Sequence, residues 1–293
     1  MNRWETLGLV TGACFSDLDG DGRPELVVAR EWAPPAFLRN EAGRWVEWHP
    51  VIEGTAGKLS GLWNAVVAGD FDEDGRMDLV FGNWGRNTRW TASPEAPRRL
   101  WYGDFGSGQG LDLAETWFDP MVRADRPERE MGLWAALFPA VRERVDSLAA
   151  FSKATLPMLL GDAMASARSV MVDTLDSVLL LQRGAGFAVK PLPALAQRAP
   201  VSSLCVADFD GDGHEDLFVS QNLSTAHPFA ERFDAGRGLW LRGDGRGGFV
   251  PEENTGVTVP GDGRGAAVCD YDRDGRVDLA VGQNGGETTL WHN

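Results

Sequence analysis

Asp208-Phe-Asp-Gly-Asp-Gly-His-Glu-Asp216 places carboxylates at positions 1, 3, 5 and 9 of a nine-residue stretch, with glycine at position 6. Hard cations such as calcium take six to eight oxygen ligands at about 2.3–2.6 Å, and alternating carboxylates on a tight turn supply them. The glycine admits the sharp turn, and the carbonyl of position 7 adds an oxygen. The pattern recurs three times: as Asp17, Asp19, Asp21 and Glu25, as Asp70, Asp72, Asp74 and Asp78, and as Asp270, Asp272, Asp274 and Asp278. Position 7 is Arg23, Arg76, His214 and Arg276 in the four copies, each expected to ligate through its carbonyl. Four bound calcium ions are the expectation. A plain Asp-Gly hairpin turn needs neither four carboxylates nor their fixed spacing.

The flanks decide which kind of calcium loop this is. An EF-hand loop lies between helices and carries Glu at position 12. Position 12 is here Val28, Phe81, Val219 and Val281. Short apolar runs follow each loop, such as Leu26-Val-Val-Ala and Leu217-Phe-Val-Ser, and others precede it, such as Ala65-Val-Val-Ala-Gly. Such runs, bounded by Gly and Asp, read as buried strands. Each unit is therefore strand, acidic loop, strand.

The interval between the loops at 70 and 208 is too long for one unit. Inside it, Asp104-Phe-Gly-Ser-Gly-Gln-Gly-Leu-Asp112 keeps positions 1 and 9 but has glycine at 3 and 5, and reads as a decayed copy without metal. A second repeated element is an apolar strand, a Gly-rich turn and an aromatic: Phe37 to Trp45, Leu180 to Phe187 and Leu239 to Phe249. A unit then has four strands, with the acidic loop between the first two and a hairpin between the last two. Five such units over residues 1–293 predict one all-β domain, a propeller or solenoid. The C-terminal Leu290-Trp-His-Asn293 enters a hairpin that Met1-Asn-Arg-Trp4 would complete. Trp4 to Gly8 is thus expected to pair with Thr288 to His292 and close the ring. Residues 129–177 break the pattern. Leu133, Leu137, Phe138, Val141, Val145 and Leu148 recur at helical spacing, and Ala163 to Leu179 passes the same test. The segment is read as a helical insertion in the third unit.

These loops between strands resemble FG-GAP/VCBS repeats, the calcium-bearing blades of integrin-α-type β-propellers. Leu62-Trp-Asn-Ala, Gly82-Asn-Trp-Gly-Arg-Asn87, Leu192 to Pro200 and Arg232-Phe-Asp-Ala-Gly-Arg-Gly238 are similar to a bacterial branch related to cartilage acidic protein, which carries an ASPIC/UnbV domain. The resemblance implies a five-bladed propeller, calcium in the intact loops, an extracytoplasmic location and further domains in a longer gene product. The opening residues do not read as a signal peptide, so export implies a leader outside this sequence.

Composition narrows the partners. Net charge is −15, against which four calcium ions would carry +8, so much of the acidity is site acidity. No basic stripe points to nucleic acid, and no apolar run is long enough to span a membrane. The three cysteines, Cys14, Cys205 and Cys269, read as small buried thiols. No catalytic serine or metalloprotease motif occurs. The twelve tryptophans stand out against two tyrosines. If strands alternate direction within a unit, acidic loops and hairpins share one end. The opposite end then receives Trp32, Trp63, Trp84, Arg86, Asn87 and Trp90, together with His227, Glu231, Arg232 and Asp234, where a ligand is expected. Wedging of these tryptophans between blades is the competing reading. The leading function is a calcium-stabilised, non-catalytic module binding a protein or glycan. A carbohydrate lyase or hydrolase and a purely structural scaffold are the alternatives.

Overall fold

Each acidic loop joins two antiparallel strands, because the apolar runs on either side of it bury one another. The computed structural model describes residues 6–224 and 232–293. The described chain is mostly strand, in several antiparallel sheets, with few and short helices. It divides into two compact units. One comprises Met1–Ala56, Gly61–Trp90 and Leu175–Asn293, the other Gly57–Ser60 and Thr91–Thr174.

The first unit holds four sheets, each built around one intact loop. In the first, Leu9–Ser16, Glu25–Ala33, Ala36–Glu41 and Arg44–Trp48 lie side by side in chain order. The second runs Ala65–Gly69, Asp78–Gly82, Val178–Arg183 and Gly186–Pro191, with Val51–Glu53 added in parallel at its edge. The third runs Val201–Ala207, Asp216–Gln221, Leu239–Gly243 and Phe249–Glu252. The fourth has Asp262–Cys269, Asp278–Asn284 and Thr289–Trp291. Their cores lie between successive sheets. Val80, Leu179 and Leu181 of the second pack with Val201, Leu217 and Leu241 of the third. Cys205 and Phe218 of the third pack with Leu279 and Val281 of the fourth. Phe37 stacks on Phe187 between the first and second, centroids 5.7 Å apart.

The sheet order corrects the expected third unit. The hairpin Val178–Pro191 does not follow the decayed loop; it pairs with Asp78–Gly82 and completes the second sheet. Everything from Thr91 to Thr174 is therefore inserted in sequence between the second and third strands of the second sheet. The inserted part carries its own sheet, ordered Ala124–Pro127, Asp112–Asp119, Arg98–Gly103 and Arg168–Val172. Sequence spacing missed this because a hairpin does not say which strand it will join.

The helical insertion is narrower than expected. Helices span Met131–Leu137, Ala140–Arg144, Leu148–Phe151 and Leu156–Leu160, with a 3-10 turn at Gly161–Ala165. Arg168–Val172 is a strand, where a helix was expected, since Val170 and Val172 alternate with period two. The buried helical face differs in part from the expected one. Trp134, Phe138, Val141 and Val145 are core, while Leu133, Leu137 and Leu148 are exposed.

Of the expected closing strand, Trp4 and Glu5 lie outside the described residues. Thr6 to Gly8 belong to no strand, and no closed sheet is present among the described residues. Cysteine burial is mixed: Cys205 is buried, Cys14 half-buried and Cys269 exposed, against the expectation of three buried thiols.

Trp63 is fully enclosed and meets Phe81 edge-on at 5.6 Å. Phe81 lies in an inner strand of the second sheet and is likewise fully buried. Replacing Phe81 with alanine should cost about 3–5 kcal/mol, the usual loss for emptying a buried aromatic site. Urea unfolding of the variant beside the parent would measure it.

Candidate metal centres and ligand surface

The four intact loops share one hydrogen-bond plan. The position-9 carboxylate is buried at the start of the second strand, with Glu25, Asp78, Asp216 and Asp278 each no more than 3% exposed. It accepts the N–H of position 2: Leu18 at 2.8 Å, Phe71 at 3.1 Å, Phe209 at 3.0 Å and Tyr271 at 2.8 Å. In three loops its other oxygen accepts an N–H from the third strand or its end, from Gln182, Gly243 and Asn293. The position-1 carboxylate gathers the N–H groups of the turn. Asp208, for example, accepts from Gly211, Asp212 and Gly213. Position 5 accepts the N–H of position 7, which orients the backbone of Arg23, Arg76, His214 and Arg276. Position 6 has φ between +80° and +92° in all four loops, a conformation that favours glycine.

This plan converges oxygens. In the first three loops the side chains of positions 1, 3 and 9 bring ligand atoms within 4.8 Å of one another: Asp17, Asp19 and Glu25; Asp70, Asp72 and Asp78; Asp208, Asp210 and Asp216. In the fourth loop the sets are Asp270, Asp272 and Asp274, and separately Asp272, Asp278 and His292. Concentrated negative charge has visible consequences. Burial, reinforced by Asp72, pushes the Asp78 carboxyl up to about 7. Burial also raises Glu25 and Asp216. At Asp278 burial acts upward too, but N–H donors from Asn293 and Tyr271 and the neighbouring His292 outweigh it, and the net shift is downward. Oδ1 of Asp72 is buried without a hydrogen-bond partner. An all-oxygen donor set with a buried, unpartnered oxygen fits a calcium ion. These residues would hold the ion, whose charge would offset that of the cluster.

The Asp104–Asp112 loop keeps the scaffold and lacks the donors. Asp112 still accepts the N–H of Phe105 at 2.7 Å. The Ser107 hydroxyl donates to the same carboxylate, and Gly106 and Gly108 offer no side chain. Burial opposes ionisation of Asp112, but Ser107 and the backbone donors carry its carboxyl below the usual range. This carboxylate is satisfied by hydrogen bonds alone.

Sequence reasoning missed a set of basic side chains that face the loops. Arg39 lies 3.2 Å from Asp19, Arg183 lies 2.5 Å from Asp72, and Arg242 lies 4.0 Å from Asp212. His292 lies 3.5 Å from Asp272. All four sit on or just after a third strand. Aligning Leu38-Arg39, Leu241-Arg242 and Trp291-His292 would have revealed three of them. Loops also touch across sheets. Glu215 accepts the N–H of Asp70 at 2.6 Å, and His214 contacts Glu73. The Glu73 hydrogen bond raises the His214 imidazole pKa.

At the opposite end of the strands the expected ligand residues part company. Trp84 and Trp90 are half-buried and pack against each other at 4.8 Å, and Phe233 meets Trp84 edge-on at 5.1 Å. Arg86 is exposed and forms a bidentate pair with Asp176, while Asn87 donates to the Arg198 carbonyl. Arg232 and Asp234 pair at 2.9 Å. Trp32 is half-buried with φ of 58°, at a register shift in its strand that turns its side chain out of the regular alternation. Trp63 is core and leaves the surface set. His227 and Glu231 lie outside the described residues. Two cavities lie at the acidic-loop end. One of about 230 Å³ is lined by Phe209, Trp240, Trp291 and His292. The other, of about 290 Å³, is lined by Asp17, Arg39, Trp48 and Arg76.

Known families match two stretches. Residues 17–81 match the FG-GAP-like repeat, and residues 201–237 match the FG-GAP repeat. The chain carries FG-GAP repeats. No curated protein matches. Among solved structures, the chain is similar to the V. cholerae biofilm matrix protein Bap1, at 11% identity and a TM-score of 0.29. That similarity covers 94% of this chain and 60% of the length of the Bap1 chain.

Replacing Asp216 with alanine removes the acceptor of two buried N–H groups, those of Phe209 and Gly243. Each unsatisfied donor costs about 1–3 kcal/mol. Urea unfolding in chelator should therefore show a loss of about 2–5 kcal/mol for Asp216→Ala, and a smaller one for Asp216→Asn, which keeps one acceptor.

Proposed function

We propose that the chain is a calcium-stiffened, non-catalytic β-propeller-type module that binds a protein or glycan. The sheets of the first unit act as its blades, and the intact loops hold calcium through positions 1, 3, 5 and 9 and the position-7 carbonyl. Support comes from the repeated donor triads and the unpartnered Asp72 oxygen. The quoted motifs support a relation to the cartilage acidic protein branch, and hence a site of action outside the cytoplasm. Millimolar extracellular calcium suits modules of modest affinity.

The observation that carries the binding role is the half-exposed pair Trp84 and Trp90, backed by the buried Phe233 and flanked by Arg86 and Asn87. Aromatic faces on a rigid scaffold stack on sugar rings or anchor a partner, and neighbouring polar groups set orientation. Among the described residues no helix is long and apolar enough to cross a membrane. Cation loops at the other end of the strands stiffen the sheets without touching this ligand.

Calcium binding the folded state alone adds about 2.7 kcal/mol per site at a hundredfold excess over the dissociation constant. Chelator should lower the melting temperature, and elemental analysis should find calcium in at least the three loops whose positions 1, 3 and 9 converge. A metal-free protein with an unchanged melt would end this reading. Asp112→Asn should leave the calcium count unaltered.

Binding is tested on a glycan array and with partner capture. Trp90→Ala should weaken the ligand so found at least tenfold while calcium content and melting stay at parent values. Unfolding of this variant would assign Trp90 to the core.

A further inference from the structure

The third strand delivers a basic side chain to its own loop at a fixed register in three sheets. Leu38 pairs with Leu26 and is followed by Arg39. Leu241 pairs with Leu217 and is followed by Arg242. Trp291 pairs with Leu279 and is followed by His292. In the second sheet the equivalent position is the buried Leu181, and Arg183 reaches the loop from two residues further on. A guanidinium remains charged and has no lone pair to give a metal, so Arg39, Arg183 and Arg242 can neighbour a cation site but never join it. An imidazole can.

The donor sets differ accordingly. The first three loops assemble positions 1, 3 and 9, all oxygen. In the fourth, positions 3 and 9 converge with His292, and position 1 groups instead with positions 3 and 5. Nδ1 of His292 lies 3.5 Å from Oδ2 of Asp272 and 3.6 Å from Oδ1 of Asp278. Ligands bonded at about 2.0–2.1 Å around a tetrahedral zinc stand roughly 3.4 Å apart, so small adjustments would seat one ion among the three. Asp278 is held ready: it is 1% exposed, with one oxygen fixed by the Tyr271 N–H at 2.8 Å and the other by the Asn293 N–H at 3.1 Å. Calcium takes oxygen ligands, whereas imidazole suits zinc, copper and nickel. His292 also lines the 230 Å³ cavity with Trp240 and Trp291, which leaves room for water or a small ligand in the remaining coordination position.

We infer that the fourth loop is a mixed nitrogen–oxygen site for a zinc-class divalent cation, ligated by His292, Asp272 and Asp278, rather than another calcium site. The inference rests on the reading of these loops as cation sites.

The test uses the whole chain in calcium-saturated buffer, with zinc alone as titrant, read by calorimetry and by elemental analysis after gel filtration. One equivalent of zinc should bind and survive filtration. His292→Arg, which installs the residue found in the first and third sheets, should weaken zinc at least tenfold and leave calcium in the Asp17, Asp70 and Asp208 loops unchanged. His292→Gln provides a second variant, and His214→Ala should keep the zinc. Equal zinc affinity in both His292 variants would overturn the inference. So would a parent protein with calcium in all four loops and no zinc. One zinc lost on His292 substitution, in a protein that never binds calcium, would uphold this site and defeat the calcium reading of the others.

Discussion

A buried carboxylate at the foot of the second strand holds each sheet of the first unit to its loop. Glu25, Asp78, Asp216 and Asp278 are almost wholly removed from water, and each receives the N–H of loop position 2. In three sheets the same group also receives an N–H from the third strand or its end. One side chain thus fixes the entry to the loop, its exit and the neighbouring strand. A buried ionised group is tolerable only with such partners. The inserted sheet keeps this device at Asp112, although its loop has lost the cation-binding side chains. The carboxylate therefore has a structural task that precedes any metal.

The same device creates an electrostatic problem. Three or four acids on one tight turn repel one another, and burial pushes Asp78 towards neutrality. Two kinds of positive charge answer this. One is a metal ion, for which we propose the converging oxygens are arranged. The other is the protein's own side chain: the guanidinium of Arg39, Arg183 or Arg242 is set against the rim of the first three loops, with the imidazole of His292 in the equivalent place on the fourth. Whether that residue is a guanidinium or an imidazole changes the chemistry available, since only the imidazole can enter a metal's coordination shell.

The far end of the strands has a different character. There the chain places aromatic rings rather than acids, and the sequence could not sort them. Trp63 and Trp84 are both flanked by asparagine and glycine or leucine in similar-looking turns, yet Trp63 is sealed against Phe81 while Trp84 leans half-exposed on Trp90 and Phe233. Depth depends on the neighbouring sheet, which local sequence does not contain.

What the sequence by itself determined is everything governed by local spacing. The carboxylates at alternate positions, the glycine that must enter the left-handed region, and the apolar runs around them specified four strand–loop–strand units and the acids that converge on each loop. The Asp104–Asp112 loop was equally legible as a copy of the scaffold with glycine where positions 3 and 5 carry acids elsewhere. Tertiary structure alone decided the pairings between distant segments. Nothing in Val178–Arg183 announces that it will cross from residue 178 back to Asp78–Gly82 and leave Thr91–Thr174 as an insertion with its own sheet. Strand edges offer the same N–H and C=O groups to any partner, so the choice falls to side-chain burial summed over whole sheets. The approach of Arg39, Arg183, Arg242 and His292 to the loops was hidden for the same reason: each reaches its acids only after the third strand has docked.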